Sequence, residues 1–279
     1  MIIDLIDGTY ELFRHFYGLR RFTKGEDPPF GAVVGVLNGT LQLLENRATH
    51  VGVATDHVIE SFRNALWPGY KTGEGIEPAL RAQFQPLEDG LSAMGVVVWP
   101  MDDLEADDAL ASAAHLASKD AAVQKVLIWT PDKDLAQCVR GDRVVQVDRR
   151  GNKIRTAHDI QEKFGVPPER IPDFLALVGD AADGYPGIRG IGAVGAARLL
   201  NEHGAIETFP PALLGDQLQA ALLFKQLATL RTDAKLFCDV GSLRWTGPTA
   251  SFAAWTERIG APKLLDRALA AQDTVRARP

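Results

Sequence analysis

The chain repeats one unit: a short apolar run, an acid at its end, then a stretch with helical spacing. Residues 1–6 lead to Asp7-Gly8, and residues 50–55 (His-Val-Gly-Val-Ala-Thr) lead to Asp56. Residues 95–99 (Gly-Val-Val-Val-Trp) lead through a short loop to Leu104-Glu105-Ala106-Asp107-Asp108-Ala109-Leu110, and residues 125–130 (Lys-Val-Leu-Ile-Trp-Thr) lead to Asp132-Lys133-Asp134. Unbroken apolar runs of this length suit strands buried on both faces. Residues 9–19 and 31–46 carry helix-spaced apolar positions, and strand-like segments recur near 143–147 and 152–155. Strands alternating with helices predict an α/β layer with a mostly parallel sheet flanked by helices. The functional crevice of such a sheet lies outside the carboxyl ends of its strands, where all these acids fall.

Folding alone gives no reason to gather them. At helical spacing Glu105 and Asp108 share a face and Asp107 stands beside them. Two carboxylates about 4 Å apart repel by roughly 4 kcal/mol at an effective dielectric of about 20, a large fraction of a domain's net stability. A divalent cation reverses that sign. Single members also fit the roles of turn former or helix N-cap.

From about residue 157 the texture changes to helices joined by Gly/Pro loops. The expected division is an α/β domain over 1–165 and a helical region over 166–279. Here Gly179-Asp180-Ala181-Ala182-Asp183-Gly184-Tyr185-Pro186 adds two acids and leads into Gly187-Ile188-Arg189-Gly190-Ile191-Gly192. Those glycines permit a tight hairpin whose backbone N–H groups, at the start of the helix-like stretch 193–202, can face a phosphate.

Composition excludes several classes. Cys138 and Cys238, the only cysteines, are far apart and have no metal-type spacing, so neither a disulfide framework nor a zinc site is expected. No apolar stretch approaches membrane-spanning length, and no basic leader precedes the first strand, so a cytoplasmic chain without a membrane partner is expected. The formal charge of −6 argues superficially against nucleic acid; with nine acids neutralised by metal it becomes +3, and the basic residues are free to line one face.

The motifs Leu5-Ile6-Asp7-Gly8, Ala54-Thr55-Asp56, Ser61-Phe62-Arg63, Gly69-Tyr70-Lys71, Glu105-Ala106-Asp107-Asp108, Asp132-Lys133-Asp134-Leu135 and Gly179-Asp180-x-x-Asp183-x-x-Pro186-Gly187 occur in this order. Over roughly residues 1–235 the chain thereby resembles the 5′-nuclease superfamily, which includes flap endonucleases and the 5′–3′ exonuclease domain of bacterial DNA polymerase I. The resemblance implies a PIN-like fold, a helix–three-turn–helix DNA-binding element and two-metal hydrolysis of DNA phosphodiesters using Mg²⁺ or Mn²⁺. By resemblance Asp7, Asp56, Glu105, Asp107 and Asp108 surround one ion; Asp107, Asp132, Asp134 and Asp183 surround the other, with Asp180 near it. Lys71 and Arg63 then stand near the scissile phosphate, and residues 187–192 contact duplex DNA. The resemblance further allows a K⁺ ion at the hairpin carbonyls, stacking of a base on Tyr70, a monomeric standalone nuclease acting on DNA with 5′ ends, flaps or nicks, and a DNA polymerase as partner.

The sequence departs from the family pattern in two places. After Lys71, Thr72-Gly73-Glu74-Gly75 supplies an acid and two glycines where a second basic residue is common. Ala181, Ala182 and Gly184 replace residues able to hydrogen-bond the turn. A PIN-like ribonuclease shares the α/β acids but has no need of Asp180, Asp183 and the hairpin. A catalytically retired DNA-binding relative is expected to have lost ligands, and all nine acids are present. Residues 240–279 match little and read as a helical packing segment around 252–270.

Overall fold

A computed structural model describes residues 1–23, 28–149, 151, 153–276 and 278. Its single sheet contains β1 (Ile2–Asp7), β2 (His50–Asp56), β3 (Val97–Met101), β4 (Lys125–Trp129), β5 (Val144–Asp148) and β6 (Lys153–Arg155), ordered β3-β2-β1-β4-β5-β6. All neighbouring pairs are parallel except β5 and β6. Residue 152, included in the expected last strand, lies outside the described residues.

The third strand begins two residues later than its apolar run suggests. Gly95, at φ +82°, turns the chain after the helix Phe84–Ala93. Pro100 then lies inside β3, tolerated because β3 is an edge strand, with a neighbour on one side only.

Between β3 and β4 the chain crosses from one side of β1 to the other, so a crevice opens between the carboxyl ends of β1 and β4. Ile6 is in register with Trp129, which sets Asp7 beside Thr130 and the loop carrying Asp132 and Asp134.

The two sheet faces are covered differently. Ile3 and Leu5 pack with Ala106, Ala109, Leu110 and Ala113 of the helix Ala106–Lys119, where the alanines let the helix lie close to the strands. Ile6 joins Leu12, Val33, Val36 and Leu37 of the helices Gly8–Thr23 and Gly31–Asn46. The chain's last helices, Phe252–Arg258 and Lys263–Arg276, return to this second cluster through Phe252, Trp255, Leu264 and Ala268. A Phe or Leu side chain is worth about 1.5–3 kcal/mol when fully buried. Residues 252–276 therefore serve as packing against the α/β layer. The intervening residues form a separate cluster around Ile171, Phe174, Leu177, Leu200 and Phe224, so packing divides the chain into an α/β layer with both ends of the sequence and a helical insertion. Among the described residues no helix is long and apolar enough to cross a membrane.

Candidate active site

Several strand-end acids first serve the local backbone. Asp7 ends β1 and its Oδ1 accepts from the N–H of Tyr10 at 2.8 Å, capping the following helix, while Oδ2 accepts from Thr130 Oγ1 at 3.0 Å. Asp56 ends β2 and accepts from the Ala106 N–H at 2.8 Å, which fixes the start of the acidic helix against a different strand. Asp132 Oδ1 accepts from the Asp134 N–H at 3.0 Å, shaping the turn after β4.

Two clusters of ligand-capable oxygens follow. Asp107, Asp132 and Asp134 bring one carboxylate oxygen each within 4.8 Å of one another, and so do Asp134, Asp180 and Asp183. Asp134 belongs to both, whereas the resemblance put Asp107 between the ions. Position explains the change: Asp134 opens a short 3-10 turn, Asp134–Cys138, that is buried between the sheet and the helical insertion. Its Oδ1 is buried and has no hydrogen-bond partner among the described residues. Burial, and next the charge of Asp132, push the carboxyls of Asp107 and Asp134 well above the ordinary range. Burial, then Asp56 and Asp132, push Asp7 up to about 7. Like charges gathered around the buried Asp134, with one of its oxygens orphaned, are what a divalent cation satisfies, and the donor set of oxygens fits one.

Two expected members do not face this cluster. Asp108 is 0% exposed, and its carboxylate takes both ends of the Arg63 guanidinium at 2.8 Å, together with the N–H groups of Glu105 and Arg231. Arg63 is 1% exposed and donates further to Glu105 and to the carbonyls of Leu227 and Thr229. With every polar edge of the pair occupied, Asp108, expected as a metal ligand, and Arg63, expected at the phosphate, form a buried ion pair that joins the α/β layer to the helical insertion. Glu105 likewise accepts from Ser61, Arg63 and Tyr70 and pairs with Lys71. Burial works against its charge, but Lys71 and then Arg63 hold it below the usual range. Among the described residues, neither Asp7, Asp56 nor Glu105 completes a close triad of ligand atoms. Tyr70 is buried with its hydroxyl on Glu105 at 3.3 Å, which takes its ring out of reach of a stacking base.

Lys71 does reach the cluster. Its Nζ lies 2.8 Å from Glu105 and 3.0 Å from Asp183, with 31% of the side chain exposed. Burial opposes its charge, yet Glu105 and Asp183 raise its pKa well above the ordinary value, so it stays an ammonium. Gly184 makes this placement possible. It adopts φ +83°, and a Cβ there would lie 2.0 Å from the Gly69 carbonyl oxygen. That close approach brings the Lys71 N–H to the Asp183 carbonyl at 3.0 Å, so the glycine that replaces a turn-bonding residue is what docks the Lys71 loop.

In the 187–192 hairpin, Ile188 is buried and donates to the Leu177 carbonyl, and the Arg189 N–H donates to Gln217 Oε1. Gly190 and Gly192 are exposed, with open space where a Cβ would stand, at the start of the helix Ala193–His203. Sequence reasoning missed Lys133, whose Nζ pairs with Asp180 at 2.8 Å, Thr130, which fixes Asp7, and Tyr185, whose buried hydroxyl has no partner. Lys133 lies inside the Asp-Lys-Asp motif and Thr130 stands two residues before it; Tyr185 had no such signal.

Residues 3–165 match the family described as the 5′-3′ exonuclease N-terminal resolvase-like domain, and residues 166–251 match the 5′-3′ exonuclease C-terminal SAM fold. The DNA polymerase I of Pseudomonas aeruginosa is 35% identical over 259 residues, covering 86% of this chain but 28% of that protein. The chain thus spans less than a third of that relative's length. A 5′-3′ exonuclease of Aquifex aeolicus is 31% identical over 205 residues, covering 73% of this chain and 70% of that protein. In fold, the chain resembles a T5 5′-exonuclease structure with bound zinc (TM-score 0.63, 19% identity, 99% and 98% of the two chains). It also resembles flap endonuclease-1 from Methanococcus jannaschii (TM-score 0.64, 16% identity, 98% and 93%).

Proposed function

The chain belongs to the 5′-3′ exonuclease family, and from that membership we propose that it is a structure-selective, divalent-metal-dependent 5′ nuclease hydrolysing DNA phosphodiesters. The observation that carries this reading is the pair of carboxylate triads sharing Asp134, with one buried oxygen left unpaired. All donors are oxygens, which suits Mg²⁺ or Mn²⁺ over softer ions. Asp107, Asp132 and Asp134 would hold one ion and Asp134, Asp180 and Asp183 the other, with Asp7 and Asp56 adding negative charge nearby. Bound there, the ions would supply an activated water and charge for the leaving oxygen of an in-line displacement.

The remaining residues orient and neutralise. Lys71, half-open to the cleft and anchored on Glu105 and Asp183, offers positive charge where a scissile phosphate enters, and this charge is most valuable as negative charge develops in the transition state. Arg63 acts at one remove, by holding Glu105. The exposed backbone at Gly190 and Gly192 lets duplex phosphates approach the amino end of the helix Ala193–His203. The substrates are DNA with 5′ ends, flaps or nicks, bound by a monomer in the cytoplasm. A DNA polymerase that extends the adjoining 3′ end is the partner such an activity serves.

Cleavage mapping on matched flap, nicked and single-stranded DNA, with an RNA control, tests the proposal. Mg²⁺ or Mn²⁺ should support cleavage near the strand junction and chelation should abolish it. Asp134→Asn should lose nearly all turnover while retaining DNA binding. Undiminished cleavage in EDTA, or cleavage confined to RNA, overturns the assignment.

A further inference from the structure

Among the described residues two buried polar atoms near the insertion lack hydrogen-bond partners, Asp134 Oδ1 and the hydroxyl of Tyr185, whose backbone pairs with Asp180. The other unpaired atoms lie elsewhere. The indoles of Trp99 and Trp255 belong to the hydrophobic clusters on the two faces of the sheet, and Arg149 pairs with Glu11 through its other nitrogen.

The position of Tyr185 is held from several sides. Its ring stacks on Phe224 at 5.5 Å and 26°, and the residue is 1% exposed. Its N–H donates to the Asp180 carbonyl at 3.0 Å and its carbonyl accepts from the Asp180 N–H at 2.8 Å, so the phenol is attached directly to the backbone of a cluster acid. The hydroxyl lies in the field of the charges on Asp134, Asp183 and Asp180. A buried donor and a buried acceptor that do not bond each other are groups that ordered water satisfies, each such water needing two to four polar partners.

We propose that Tyr185 is a positioning residue of the cation site at Asp134, Asp180 and Asp183, its hydroxyl holding a water of the ion's hydration shell that also reaches Asp134 Oδ1. The inference rests on the two-cation reading above. It gives the site an outer hydrogen bond that fixes the ligand arrangement, and partners of this kind tune metal affinity by about 10–100-fold. The water that the hydroxyl holds is one the ion brings, so without the ion the hydroxyl loses that partner and Tyr185 favours the loaded protein over the empty one.

Tyr185→Phe removes the hydroxyl and keeps the ring on Phe224. Mn²⁺ titrated calorimetrically into the full chain should show two sites in the wild type and one of them weakened about tenfold in the variant. In EDTA the variant's thermal midpoint should equal or exceed that of the wild type, because an unsatisfied buried group has been removed, and its rise on adding Mn²⁺ should be smaller. Equal Mn²⁺ affinities and equal rises in the two proteins overturn the role of Tyr185 and leave the cation site standing. A wild type that takes up no Mn²⁺ overturns both.

Discussion

Arg63→Met should destabilise the fold by about 3–5 kcal/mol, the usual cost of removing one partner from a buried ion pair. The size follows from what remains. Asp108 is fully buried, and after the substitution its carboxylate keeps only the N–H groups of Glu105 and Arg231. The carbonyls of Leu227 and Thr229 lose their donor as well, which loosens the end of the helix Leu218–Ala228 against the α/β layer. For a chain of 279 residues unfolding entropy near 60 °C gives a fall in midpoint of roughly 5–9 °C. Urea unfolding of the wild type, Arg63→Met, Asp108→Leu and the double variant completes a cycle. The double variant should lose at least about 2 kcal/mol less than the two single losses combined, since the second substitution removes the stranded charge. A loss below about 1 kcal/mol in Arg63→Met, or simple additivity, refutes the pairing argument. A fully stable Arg63→Met enzyme with lost turnover would instead return Arg63 to the scissile phosphate.

Lys71→Ala should lower the single-turnover cleavage rate far more than DNA affinity, because its charge is used mainly in the transition state; an effect confined to binding would make Lys71 a docking residue. Asp7, raised from 3.8 to about 7 by burial and then by Asp56 and Asp132, contributes stability that is fully present below about pH 4 and lost as pH rises through about 7. Thermal midpoints in EDTA should therefore fall over that window, and Mg²⁺ or Mn²⁺ should restore more at pH 8 than at pH 5; equal metal gains at both would contradict the site. Gly184→Ala, forced to φ +83° with its Cβ 2.0 Å from the Gly69 carbonyl, should cost at least about 1–3 kcal/mol and slow turnover by displacing Lys71, both readable from one folded preparation. Gly192→Val meets open space at φ −92°, so it should fold normally yet weaken duplex and flap binding across a salt series; unchanged affinity would move the DNA interface elsewhere.

The parallel sheet and the position of acids at or shortly after its strand ends were legible in the residues because buried strands need unbroken apolar runs. Asp7, Asp56, Asp107 and Asp132 could be assigned to one crevice on that pattern alone. Local sequence does not record which carboxylates remain available once the backbone and neighbouring cations have taken their share. Asp107 and Asp108 are adjacent in one motif, yet their side chains leave the helix about 100° apart; one joins the open cluster, and the other is closed off by Arg63 and the N–H of Arg231, 123 residues away. Asp134 gained its central place, and Tyr185 its unpaired hydroxyl, only when the helical insertion packed over the end of β4. The close approach of Gly184 to Gly69 and the return of the last helices to the first core are likewise long-range. Periodicity reports the face a residue presents to its own element, whereas the partner that satisfies a buried polar group comes from wherever the chain folds back, and only the tertiary structure decided that.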